Sequence, residues 1–116
     1  MHPFKTKILD YCISLPNAEE AFPFDDKVWV AKVYGKIFIL MNLVEDDVRF
    51  NLKCQPEKAE ELRAEYDFVQ PGYHMSKKHW NTIHWLDSGL DWKTLKDWID
   101  HSYELVLSSV PKSKRI

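Results

Sequence analysis

Val48-Arg49-Phe50-Asn51-Leu52-Lys53-Cys54 alternates without an error. In an extended chain Val48, Phe50, Leu52 and Cys54 fall on one side, and Arg49, Asn51 and Lys53 on the other. A strand with one apolar and one polar face belongs to an antiparallel sheet that is packed on one side and wet on the other. Upstream, Val28 to Tyr34 and Lys36 to Val44 are β-branched and aromatic runs parted by Gly35, which predicts a tight hairpin. Glu45-Asp46-Asp47 turns the chain into the alternating segment.

Helices are expected outside these three strands. Pro3 suits a first helical turn, and Phe4, Ile8, Tyr11, Cys12 and Leu15 recur at helical spacing until Pro16-Asn17 breaks the pattern. Pro56 opens a second helix, with Glu57, Glu60 and Glu61 placed to suit its dipole and a thin stripe of Ala59, Leu62 and Tyr66. After the loop Val69 to Gly72, the stretch Thr82 to Leu86 predicts a fourth strand. Asp91 is a fair N-cap for a last helix with Leu95, Ile99, Ser102, Val106 and Val110 on one face. The order is α-β-β-β-α-β-α. It implies an α+β fold: a mainly antiparallel sheet of four strands or slightly more, with helices on one face.

Residues 1–116 read as one domain, since 116 residues suit a single core and no linker-like or repeated segment interrupts them. No apolar run nears the ~18 residues of a membrane span, and the N-terminus lacks a secretory h-region. Two cysteines, without a Cys-x-x-Cys pair, exclude a disulfide scaffold and point to a reduced, cytoplasmic setting. Cys12 and Cys54 both sit on apolar stripes and read as core. Sixteen basic against 18 acidic residues give −2, so any contact with phosphate must come from a local patch.

One segment offers such a patch. Pro71-Gly72-Tyr73-His74-Met75-Ser76-Lys77-Lys78-His79-Trp80-Asn81-Thr82-Ile83-His84-Trp85 interleaves cations with flat rings, as a phosphate-and-base surface does. The plainer reading puts Trp80 and Trp85 against the core and Lys77 and Lys78 on a solvated turn. His74, His79 and His84 are five apart, a spacing that converges on no regular element, so no metal is expected. No nucleophile elbow, phosphate loop or dinucleotide fingerprint is present, so neither an enzyme nor a cofactor is called for. The basic tail Lys112 to Arg115 is expected to fray.

Several strings together resemble the MmcQ/YjbR family of small bacterial proteins. They are Cys12 with Pro16-Asn17-Ala18-Glu19-Glu20, Pro23-Phe24, Gly35-Lys36-Ile37-Phe38, Leu52-Lys53-Cys54, Pro56-Glu57, Leu62-Arg63, Pro71-Gly72-Tyr73-His74-Met75, Lys77-Lys78-His79-Trp80-Asn81-Thr82 and Ser102-Tyr103-Glu104-Leu105-Val106. The resemblance covers Leu9 to Arg115. It implies a double-wing or frataxin-like fold and carries a DNA-binding expectation founded on fold analogy. Asn17 replaces the family's usual glycine, which Asn can do in a left-handed turn. Asp25-Asp26 replace a Gly-Pro-like turn and add negative charge there.

The expected function is a non-catalytic, weak, phosphate-directed DNA-binding module with a regulatory role. Arg49, Lys53, Lys77, Lys78 and His79 would form the contact surface, with Trp80 supporting it from beneath. The competing expectation is a protein-interaction or regulatory module without nucleic acid, and a metal-handling protein of frataxin type ranks third. A monomer away from membranes is expected in either leading case.

Overall fold

Tyr34 and Gly35 both have positive φ, 48° and 79°, which is the left-handed pair that a two-residue hairpin requires. In the computed structural model, which describes residues 1–115, this turn joins β2 (Val28–Val33) to β3 (Lys36–Asn42). In chain order the other elements are α1 (Pro3–Ser14), β1 (Ala18–Ala21), β4 (Arg49–Lys53), α2 (Pro56–Glu65), β5 (Val69–Pro71), β6 (Trp80–His84) and α3 (Trp92–Ser108). Every strand pairing is antiparallel, and the sheet runs β1-β2-β3-β4-β6-β5.

The sheet thus has six strands, where the pattern predicted four or slightly more. β1 is Ala-Glu-Glu-Ala, a string with no strand propensity, and it forms by pairing Ala18 with Val33 through to Ala21 with Val30. Its entry turn uses Asn17 at φ 60°, the left-handed position anticipated for that residue. β5 is only three residues long and ends in Pro71, which an edge strand tolerates. β6 begins at Trp80 and ends at His84, two residues earlier than the Thr82 to Leu86 expectation. The basic tail is a 3₁₀ turn over Lys112–Lys114 rather than a frayed end, and Arg115 Nε donates to the Val110 carbonyl at 3.1 Å.

Trp29, Met41, Phe50, Ile83 and Val69 are cross-strand partners in one continuous row, so they share a face. All five are buried, Phe50 with 1% exposure, in a cluster that takes in Ile8 and Cys12 of α1 and Leu95, Ile99 and Val106 of α3. α3 packs against β2, β3 and β4, α2 against β5 and β6, and α1 against β1. The helices therefore lie on one side of the sheet. Asp91 caps α3 as its sequence position predicted, accepting from Thr94 N at 3.3 Å.

Among the buried polar side chains on this face, Lys5 and Ser102 each tie a helix to the sheet side of the chain. Lys5 is fully buried (0% exposed), and its Nζ donates to the Glu45 carbonyl at 2.5 Å, tying α1 to the turn after β3. Ser102, also buried, answers an irregularity in the sheet. The β2–β3 register shifts after Ala31, where Phe38 becomes the extra residue of a bulge. Ser102 Oγ accepts from Lys53 N at 2.9 Å and donates to the Phe38 carbonyl at 2.6 Å. It thereby stands in for ladder bonds at the end of β4.

Candidate functional site

The opposite face carries the next row: Val30, Leu40, Asn51, Thr82 and Gln70. Arg49, Asn51 and Lys53 lie on this face, as the alternation of β4 predicted, while Phe50 and Leu52 are covered by helices. Among the described residues no helix crosses it. Two loops rise at its sides instead, Phe22 to Lys27 before β2 and Gly72 to His79 between β5 and β6. Between them lies a cavity of about 430 Å³, lined by Phe24, Val28, Leu40, Asn51, Tyr73 and Met75 among others.

The loops are built by local bonds. Asp25 Oδ1 accepts from Lys27 N and Val28 N, both at 2.8 Å, and these two bonds hold its carboxyl below the usual carboxylate range. The second loop is pinned at its base, because Gly72 N donates to the Trp80 carbonyl at 2.9 Å and a Cβ on Gly72 would lie 2.8 Å from Trp80 Cβ. Only glycine permits that approach. Arg63 of α2 reaches across to donate to the Lys77 carbonyl at 2.9 Å, and Lys77 Nζ donates to the Gly72 carbonyl at 3.0 Å. His74 takes φ 56° in the turn, and its ring lies tilted at 53° beside that of Tyr73, with centroids 4.0 Å apart.

The predicted contact residues divide into two groups. Lys53 is the cross-strand partner of Trp80, and Cys54 N donates to the His79 carbonyl at 2.8 Å, so Lys53, Lys77, Lys78, His79 and Trp80 meet at one end of the sheet. Arg49 sits at the other end of β4, about 13 Å away at strand rise. There its guanidinium pairs with Glu45, Nε to Oε1 at 3.0 Å, and lies over the Tyr73 ring at 5.5 Å. Its charge is already answered. Trp80 is half-buried, and its Cβ and carbonyl lie against Gly72 at the base of the loop.

Of the five tryptophans, Trp29 and Trp98 are buried, while Trp85 and Trp92 pack against the core from its margin. Trp85 stacks on Phe4 with centroids 3.5 Å apart, so it offers no ring to a ligand. Phe24 (65% exposed), Tyr73 (58% exposed) and the imidazole of His74 face solvent beside the cavity. The sequence places Tyr73 among the rings of a possible phosphate-and-base segment without singling it out, and Phe24 only in the family resemblance, because loop residues carry no periodic signal. His84 lies 3.8 Å from Asp47, and among the described residues no three His, Cys, Asp or Glu side chains group as metal ligands would. Cys12 and Cys54 are free and buried, and burial pushes both thiols above their ordinary range, away from reactivity. Among the described residues no helix is long and apolar enough to cross a membrane.

Solved structures share this fold. A protein from Deinococcus radiodurans, DR2400, has a crystal structure that superposes with a TM-score of 0.88 at 35% identity, over 96% of this chain and 84% of that one. A Pseudomonas syringae protein at 24% identity has the same fold, with a TM-score of 0.72 over 88% of this chain and 97% of its own. The uncharacterized protein YjbR of Escherichia coli K12 is 34% identical over 110 residues, 95% of this chain and 92% of its own. The uncharacterized protein YbdF of Escherichia coli O157:H7 is 34% identical over 100 residues, 86% of this chain and 81% of its own. The YjbR family model matches residues 13–105, a span that runs from α1 through the whole sheet and into α3 and contains every residue of the open face, and the chain therefore belongs to the YjbR family.

Proposed function

We propose that the open face of the sheet binds DNA weakly, through phosphate contacts made by Lys53, Lys77 and Lys78. The observation that carries the reading is the pairing of Lys53 with Trp80, which brings the strand lysine up against the Lys77-Lys78 turn. Three cations then cluster on a chain of net charge −2. The double-wing likeness implied by the family resemblance points the same way, as analogy only. Arg49 is left out of the phosphate set because Glu45 neutralises it. His79 supplies a backbone carbonyl to the strand end, and Trp80 props the loop; both shape the patch.

A salt titration tests this. Three phosphate contacts give a slope of log affinity against log salt of about −2.7 on duplex and about −2.1 on single strands. Replacing Lys77 and Lys78 together by alanine should remove about two contacts, flattening the duplex slope by about 1.8. An unchanged slope would move the contact elsewhere. No binding at low salt to duplex or single strands would transfer the open face to the protein-interaction reading, which the exposed rings of Phe24 and Tyr73 also suit.

A further inference from the structure

We infer that the cavity on the open face holds one unpaired nucleobase of a single strand, stacked against Phe24 and Tyr73 and hydrogen-bonded by the amide of Asn51. The inference rests on the nucleic-acid reading and adds to it a preference for single strands over duplex.

The hydrogen bonds inside the cavity fix a donor at its floor. Tyr73 N donates to Thr82 Oγ1 at 3.0 Å, so the hydroxyl proton of Thr82 is left to donate onward, to Asn51 Oδ1 at 2.5 Å. With its oxygen engaged by Thr82, the Asn51 amide has Nδ2 left to offer toward the cavity that Asn51 lines. Thr82 is buried, and Asn51 is half-buried at the middle of β4. A ligand with an acceptor on its edge would meet Nδ2 there.

Shape and charge narrow the class. Val28 and Leu40 make the floor apolar, and two largely exposed rings, Phe24 and Tyr73, stand at the walls. A volume near 430 Å³ is within the range of small-molecule sites and admits one flat heterocycle with room for its sugar. Arg49 is already paired with Glu45 and lies over Tyr73, so the guanidinium that lines the cavity is answered and the site favours a neutral ring over an anion. A planar, neutral heterocycle with edge acceptors is a nucleobase. The phosphates that follow it would run toward Lys53, one full strand repeat from Asn51 on the same face, and on to Lys77 and Lys78.

Two arms separate this inference from the reading beneath it. In the first, a mixed-sequence 10-mer single strand and its duplex are titrated against the wild-type chain and the Phe24→Ala/Tyr73→Ala double variant. Both residues are exposed enough for the fold to survive, and circular dichroism confirms it. Single-strand affinity should fall about tenfold or more with the salt slope unchanged, while duplex affinity stays put. In the second, free adenosine, cytidine and thymidine at millimolar concentration are added to ¹⁵N-labelled protein, and the Asn51 side-chain amide resonances are followed. At least one nucleoside should shift them, and should still do so in the Lys77→Ala/Lys78→Ala variant. An Asn51 amide unmoved by every nucleoside overturns the base site even if strands bind. Strand binding that ignores loss of both rings does the same, and leaves the phosphate reading standing. Nucleoside shifts without strand binding would support the base site as one for free nucleosides and remove the DNA reading.

Discussion

Phe50 and Asn51 are neighbours in β4, yet they live on surfaces built by different rules. On the helix side, the row from Trp29 to Val69 is apolar throughout and closed by three helices. On the open side, the row from Val30 to Gln70 changes from apolar to polar midway, at Asn51, and is bordered by loops that hold a cavity. One face concentrates the free energy of folding and the other leaves side chains uncommitted. The difference teaches where substitutions should be felt: in stability on the first face, in binding on the second.

The largest expected effect sharpens that contrast. Phe50→Ala removes a fully packed ring from under α3 and should cost about 3–5 kcal/mol of unfolding free energy, read by chemical denaturation. Leu40 is buried as well, but it faces the cavity, where its atoms already lack neighbours on one side. Leu40→Ala should therefore cost less, about 2 kcal/mol, near the value for lost transfer alone. Equal losses at the two sites would show that the open face is as tightly packed as the covered one, and would break the comparison.

Ser102→Ala comes between them. The variant keeps the volume of the core nearly unchanged but strands the Lys53 N–H and the Phe38 carbonyl, the two groups that Ser102 Oγ serves at the bulge. Two orphaned backbone groups should cost about 2–3 kcal/mol. Hydrogen exchange gives a second reading, since the Lys53 amide should lose protection in the variant while the Phe50 amide, further along the same strand, keeps most of its own. Loss of both together would mean that the end of β4 is held by the sheet alone.

How much of this was legible in the sequence depends on periodicity. β4 could be read residue by residue because one face is covered and the other is not, and its register places Phe50 and Arg49 as the alternation required. β1 could not, because Ala-Glu-Glu-Ala becomes a strand only through pairing with an edge that already exists. Lys5 was passed over on α1 for the same kind of reason. It shares the buried stripe with Ile8 and Cys12, but a lysine breaks an apolar pattern, and its acceptor, the Glu45 carbonyl, is 40 residues away. At the candidate site, the gathering of Lys53 with Lys77 and Lys78 was foreseen from charge alone. The separation of Arg49 was not, since a run of acids at a turn does not announce which cation it will pair with. Phe24 and Tyr73 are the hardest case. Each lies on a loop, where the neighbours that expose a ring come from distant strands.

The smallest expected effect concerns the loop that carries Phe24, and it is a matter of pH. The Asp25 carboxylate accepts two backbone N–H groups, from Lys27 and Val28, and these bonds lower its pKa in the folded chain. A carboxyl whose pKa is depressed by folding favours the native loop at every pH above its unfolded value, near 3.9. The advantage is lost as pH falls through the depressed value, because a protonated oxygen is a poorer acceptor for two donors. Phe24 stands one residue before this turn, so its placement beside the cavity depends on the carboxylate while the covered face does not. Between pH 5 and pH 2 the amide resonances of Lys27 and Val28 should move toward loop-like, rapidly exchanging positions before those of Trp29 and Met41 change at all. Asp25→Ala should show the acid form of the loop already at pH 7, with no further change on acidification, and Asp25→Asn, which retains an acceptor oxygen, should lie between the two. If the Lys27 and Val28 amides instead melt together with Met41 in a single transition, the loop belongs energetically to the packed face, and the division of the sheet into a folding face and a binding face fails at its border.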